Sequence, residues 1–171
     1  MKLLFGNLET FPAEARLEAK PGVIKADFQG LVEIGQATVD VDIQKSGDEY
    51  FCQANVQADV TLECARCLKS FDCKLSSQAD FIVTSQVTFE EQRREADDDE
   101  DYVFLEGDGL TADITDQVRQ IIILAMPMVP LCEEDCKGLC PKCKVNRNEE
   151  SCDCTFDETD PRWDKLRELG Q

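Results

Sequence analysis

A chain of 171 residues with 42% hydrophobic side chains can bury one core, or one core with a small appendage, and is too apolar for wholesale disorder. Its 36 acidic and 18 basic residues give a formal net charge of −18. That balance argues against coating nucleic acid by general electrostatics; it suits a basic partner, a local basic patch, or simple solubility. Met1-Lys-Leu-Leu-Phe5 begins like a secretory leader, but Gly6, Asn7 and Glu9 end the apolar run. The strongest later run, Ile121 to Met128, is too short to span a membrane. A cytoplasmic setting is expected, where clustered thiols stay reduced and serve as metal ligands more often than as disulfides.

Residues 1–35 carry mixed signals. Thr10–Lys20 reads as a short helix with Pro12 in its first turn, while Phe28, Leu31, Val32 and Ile34 suit a strand. From Gln36 the pattern clears. Val39, Val41 and Ile43 alternate with Asp40, Asp42 and Gln44, a half-buried strand closed by Ser46-Gly-Asp48. Cys52, Ala54, Val56, Ala58, Val60, Leu62 and Cys64 form a second alternation. A third resumes after Cys67 at Phe71, Cys73, Leu75, Ala79, Phe81 and Val83. The last two strands, joined through Cys64-Ala-Arg-Cys67, are expected to pair antiparallel, and all three to form a meander with one wet face.

Residues 90–101 hold eight acidic side chains and two arginines. Mutual repulsion there predicts a mobile loop, which can also tether a basic partner. Thr111-Ala-Asp-Ile-Thr-Asp opens a helix with Thr111 or Asp113 as cap. Ile114, Val118, Ile121, Ile122 and Ala125 fall on one face of it, and Pro127 and Pro130 stop it. A last helix over 160–169, capped by Asp160 with Pro161 at its first position, carries a narrow stripe of Trp163, Leu166 and Leu169 that suits docking on the domain. The expected fold is α+β: an antiparallel β-meander packed by one main helix over 1–127, with a Cys-rich, zinc-braced tail over 128–171.

The chain has ten cysteines and no histidine. Eight cysteines are paired in spacing: 64/67, 132/136, 140/143 and 152/154. Cys140-Pro-Lys-Cys143 has the form of a zinc knuckle, a tight turn whose amides point at two thiolates, and Cys152-Asp-Cys154 can complete a tetrahedral all-sulfur site. Cys132 and Cys136 can replace one of those pairs, or join Cys64 and Cys67 in a second site that clasps the hairpin tip to the tail. Cys52 and Cys73 fall on apolar strand faces and read as small buried hydrophobes. Two rival chemistries share these residues. Cys136-x3-Cys140-x2-Cys143 has the spacing of a radical S-adenosylmethionine cluster motif, but such enzymes need a large barrel around it. Cys64-Ala-Arg-Cys67 can be a redox pair with its thiolate favoured by Arg66, although thioredoxin-like motifs open a helix after a strand. No nucleophile elbow, P-loop or dinucleotide fingerprint is present.

One basic island interrupts the acidity. Lys137, Lys142, Lys144 and Arg147 fall within eleven residues that contain no Asp or Glu. A metal-held loop presenting these cations can meet a few phosphates; equally, the cations can offset thiolate charge.

Leu62-Glu-Cys-Ala-Arg-Cys-Leu68 with Phe71, Ala125-Met-Pro127, Pro130 through Cys143, Asn146-Arg-Asn148, Cys152-Asp-Cys154 and Asp160-Pro-Arg162 occur in the order of a known family. Over about residues 36–169 the chain resembles the bacterial and plastid YceD family, whose members are called large ribosomal RNA subunit accumulation proteins. Two departures stand out: Lys144 where a glycine commonly follows the knuckle, and Arg147 where a leucine is usual. The resemblance implies a non-enzymatic role in accumulation of 23S rRNA, with a large-subunit precursor, reached through rRNA or a basic ribosomal protein, as partner. It supplies no catalytic residue, membrane contact or small-molecule substrate, and it makes zinc a brace present in some members. From other classes, the alternatives are a thiol–disulfide oxidoreductase using Cys64 and Cys67 and a zinc-ribbon adaptor of transcription.

Overall fold

The computed structural model describes residues 1–154 apart from 7, 9, 86–101 and 108. The expected acidic loop over 90–101 and the expected helix over 160–169 lie outside the described residues. Among the described residues, seven strands and one helix follow in order: β1 (Lys2–Leu4), β2 (Ala13–Ala19), β3 (Leu31–Ser46), β4 (Glu49–Glu63), β5 (Ser70–Thr84), β6 (Tyr102–Phe104), β7 (Thr111–Asp113) and α1 (Thr115–Ala125). The main sheet has the order β2-β3-β4-β5-β6, and β1 pairs with β7 in a small second sheet. All pairings are antiparallel except β5 with β6, so the main sheet is mixed.

The period-two pattern sets the register of the long strands. Val39 faces Val56, Val41 faces Ala54 and Ile43 faces Cys52 across β3 and β4. Cys52 in turn faces Phe81, Ala54 faces Ala79 and Val60 faces Cys73 across β4 and β5. Like faces therefore meet, the inward side chains joining one core. The expected meander is present. Gly47 takes φ +62° at the first central position of the two-residue turn between β3 and β4, the glycine-first pattern that suits the twist of a tight hairpin. On the outer face, cross-strand polar pairs replace packing. Arg16 lies 3.5 Å from Asp40, Gln53 Nε2 donates to Asp80 at 2.9 Å, and Thr61 Oγ1 donates to Asp72 at 2.9 Å.

One expectation near the edge of the sheet is corrected. Thr10–Lys20 holds no helix: Ala13–Ala19 forms edge strand β2, paired with β3 from Ala13↔Ile43 to Ala19↔Ala37. Ala, Glu and Leu favour helix in isolation, but Ala13, Ala15, Leu17 and Ala19 also alternate with Glu14, Arg16 and Glu18. A waiting sheet edge overrides a propensity of only tenths of a kcal/mol per residue. Leu31, Val32 and Ile34 do lie in a strand: β3 starts at Leu31 and runs on into the alternation after Gln36, with register shifts between Leu31 and Glu33 and between Ile34 and Ala37. Gly35 sits in the second irregularity, where a Cβ would stand 3.1 Å from the Asp59 carbonyl oxygen. Absence of a side chain there lets the bulged strand approach its neighbour.

The start of the main helix shifts as well. Thr111–Asp113 is strand β7, and the helix begins at Thr115 with Ile114 as its cap residue. Asp113 still serves the helix end: its Oδ1 accepts the Thr115 N–H at 2.9 Å, and it also receives the Met1 ammonium at 2.9 Å. The apolar stripe of α1 packs across β5 and β4. Ile121, Ile122 and Ala125 meet Val56, Ala58, Leu75 and Ser77. Small residues at 58 and 77 leave room for the two isoleucines. Ile122 is 1% exposed, and truncating such a side chain removes packing that the helix and sheet cannot recover by collapse. Ile122→Ala is expected to lower unfolding free energy by about 3 kcal/mol, read from urea denaturation at unchanged slope. A loss under about 1 kcal/mol would contradict the packing described.

Candidate metal centres

The tip of the β4–β5 hairpin is itself a knuckle. Cys64 N–H donates to Lys69 O at 2.9 Å and Leu68 N–H donates to Cys64 O at 2.9 Å. Cys140 N–H donates to Val145 O at 2.8 Å and Lys144 N–H donates to Cys140 O at 2.8 Å, the same pair of bonds in the tail. In both turns the residue after the second cysteine adopts a left-handed backbone, Leu68 at φ 59° and Lys144 at φ 62°. Lys144, which stands where the resemblance leads one to expect glycine, thus occupies a conformation that favours glycine.

The tail folds back over the hairpin tip. Ala65 N–H donates to Pro130 O at 2.8 Å and Leu139 N–H to Arg66 O at 3.0 Å. The Arg66 guanidinium donates to Cys136 O at 2.9 Å. Arg66 therefore ties down the tail backbone; its guanidinium is spent on carbonyls of the tail. Cys64, Cys67 and Cys136 are buried together, with Phe71, Leu131, Cys132 and Leu139 packed around them. Gly138 passes so close that a Cβ would stand 2.9 Å from the Arg66 carbonyl oxygen, at φ +71°.

This folding draws the eight paired cysteines into two quartets: Cys64, Cys67, Cys132 and Cys136, and Cys140, Cys143, Cys152 and Cys154. Within each, all four sulfurs lie within 4.8 Å of one another. Cys64 Sγ stands 3.8 Å from Cys136 Sγ, and Cys67 Sγ stands 3.6 Å from Cys132 Sγ. Thiolates about 2.3 Å from a shared zinc would be about 3.8 Å apart at the corners of a tetrahedron, whereas a disulfide needs about 2.0 Å. All ten cysteines are free. Cys52, in the core, and half-buried Cys73 stand apart from both quartets.

Each quartet holds one acidified thiol, Cys64 or Cys140, beside two that are raised, Cys67 and Cys132 or Cys152 and Cys154. Burial opposes ionisation of Cys64, yet the backbone N–H groups of Cys132, Cys67 and Arg66 hold it at about 6. The Cys143 N–H, against burial and with help from the Lys142 N–H, holds Cys140 at about 6. Burial and the sulfurs of Cys67 and Cys64 push Cys132 up to about 12. The Cys143 sulfur, followed by burial, pushes Cys154 up to about 12. Further negative charge within 4.8 Å of the first thiolate is costly, a cost that a divalent metal would remove.

Lys137, Lys142, Lys144 and Arg147 are exposed around these turns. Glu133, Glu134, Asp135, Glu149 and Glu150 flank them, also exposed, and Lys69 lies 3.5 Å from Glu149. Sequence reading overlooked the docking parts, Gly138 and the backbone role of Arg66. A lone glycine two residues after Cys136 was the available signal. Gly138→Ala must add a methyl group where an oxygen already stands, in a backbone region alanine avoids. It is expected to cost roughly 1–3 kcal/mol and to expose the hairpin tip to hydrogen exchange. Gly107→Ala, with open space around its Cβ, serves as the control; equal behaviour of the two variants would refute the close approach.

The family described as "Large ribosomal RNA subunit accumulation protein YceD" matches residues 52–170. A protein of Arabidopsis thaliana called "Large ribosomal RNA subunit accumulation protein YCED homolog 1, chloroplastic" is 24% identical over 99% of this chain and 60% of its own length. An uncharacterized protein of Mycobacterium tuberculosis is 30% identical over 81% of this chain and 66% of its own, and one of Mycobacterium leprae is 24% identical over 77% and 58%. The chain thus spans less than two thirds of these curated relatives. No solved structure matches it significantly. No helix among the described residues is long and apolar enough to cross a membrane. With the match running from strand β4 through both cysteine quartets, the chain belongs to the YceD family.

Proposed function

We propose that this chain is a non-enzymatic ribosome-biogenesis factor that acts in the cytoplasm and promotes accumulation of 23S rRNA. It does so by contacting a precursor of the large subunit through its cysteine-rich head. One coincidence carries the reading. The region matched by a family named for large ribosomal RNA accumulation, residues 52–170, includes both quartets and the basic island. The strongly acidic remainder favours contact through that island, or through a basic ribosomal protein, over broad RNA binding.

Both quartets fit zinc by donor type, number and spacing. In this reading residues 1–127 form the body and 128–171 the tail. Zinc in Cys64/Cys67/Cys132/Cys136 fastens tail to hairpin tip, and zinc in Cys140/Cys143/Cys152/Cys154 shapes the loop that presents Lys137, Lys142, Lys144 and Arg147. Closed four-sulfur sites leave no open coordination position, so their work is to hold structure. Purified protein is expected to carry two zinc ions per chain by elemental analysis, and chelation to loosen the tail while the main sheet keeps its far-ultraviolet signature. One ion per chain would remove the fastening site, and none would remove both.

The partner is tested in cells. Tagged protein is expected in large-subunit precursor fractions of a sucrose gradient, and replacing all four island cations with Gln should shift it toward free protein. If these cations meet phosphates, the slope of affinity against salt should flatten by about 3. Absence from every precursor fraction would defeat the proposed role, and an unchanged slope would move the contact to another surface.

A further inference from the structure

Asn148 belongs by sequence to the second quartet, on the connection between Cys143 and Cys152, yet its side chain reaches the first. Its Nδ2 donates to Cys136 Sγ at 3.3 Å and to Asn146 Oδ1 at 2.8 Å. Its Oδ1 accepts the backbone N–H of Lys137 at 2.7 Å. The connection is held firmly enough to aim it. Arg147 N–H donates to Gly138 O at 2.9 Å, Glu150 N–H donates to Asn146 O at 2.9 Å, and Leu139 forms a bridge with Asn146.

A ligand sulfur that accepts an N–H sheds part of its negative charge into that bond, which eases crowding of four thiolates on one ion. The connection that delivers this donor is closed at its two ends by Cys140/Cys143 and Cys152/Cys154. Metal in the second quartet would fix those ends, and with them Asn148. Without it, the connection is held by the hydrogen bonds above, with its two ends untied, and the donor's position is less restricted.

We infer that Asn148 is a positioning residue that couples the two sites, so that metal in Cys140/Cys143/Cys152/Cys154 tightens metal binding by Cys64/Cys67/Cys132/Cys136. The inference rests on the two-zinc reading above. By thermodynamic reciprocity, metal in the first site tightens the second by the same factor.

Asn148→Asp keeps an oxygen for the Lys137 N–H and removes the sulfur's donor, but adds a negative charge; Asn148→Leu, titrated beside it, removes the donor without adding charge. Zinc-loaded protein is titrated with a competing chelator and released zinc is counted. In parallel, cadmium-113 replaces zinc, and the resonances are assigned with Cys→Ser variants of each quartet. Wild type is expected to hold two ions. Asn148→Asp should release one of them at about tenfold lower chelator or less, and the resonance of the first quartet should shift while that of the second stays. Cys152→Ser/Cys154→Ser, checked by circular dichroism for an intact sheet, should weaken the first site by a similar factor, with Asn148→Asp adding nothing on that background. Fewer than two ions in the wild type would overturn the two-zinc reading and the coupling with it. Two ions with Asn148→Asp unchanged, or losses that add fully in the triple variant, would overturn the coupling alone. If the double Ser variant fails to fold, a neutral Asn148→Leu variant that holds both ions as tightly as the wild type still overturns the coupling.

Discussion

Docking of the tail onto the β4–β5 turn is the constraint on which the rest of this head depends. Cys64 and Cys67 come from a turn between two strands, and their partners Cys132 and Cys136 arrive some 65 residues later or more. Between them the chain must complete β5, β6, β7 and α1. The four sulfurs meet only if the sheet has already fixed the turn and α1 has delivered the chain to Pro130, whose carbonyl accepts the Ala65 N–H. A loop closed over such a separation is entropically costly. Packing of Leu131, Leu139 and Phe71 around the sulfurs offsets part of that cost, and a metal ion would offset more.

Local order in the second quartet differs in origin. Its four cysteines lie within fifteen residues of chain, so closure asks little of the fold elsewhere. The backbone bonds of its knuckle repeat those of the hairpin tip, one set framed by strands and the other by loops. The head therefore joins a turn that the sheet imposes to a turn that builds itself. Gly138, Arg66 and Asn148 are the points where one touches the other.

Much of this is legible in the sequence. Alternation in three runs, Val39–Ile43, Cys52–Cys64 and Phe71–Val83, marked the strands and their inward faces, because a period of two has one burial solution once a face is apolar. Cysteine spacing likewise suggested which pairs could meet, since thiols at knuckle separation have few geometric alternatives. What escaped was decided by neighbours distant in sequence. Ala13–Ala19 is a strand because β3 offers it an edge. Thr111–Asp113 is a strand because β1 comes back to it across more than 100 residues. Asn148 looks like an ordinary turn residue, and its bond to Cys136 exists only after the tail has doubled back.

The length of the hairpin has a practical reach. Strand β4 runs fifteen residues from the Gly47 turn to the cysteine tip, which at about 3.3 Å per residue separates the two ends by roughly 50 Å. Nothing stands within 4 Å of a Cβ placed at Gly47. The molecule thus has a handle as well as a head. A reporter fixed beside that turn would sit farther from the quartets than the diameter of many small domains, free to signal what the head has captured without competing for it.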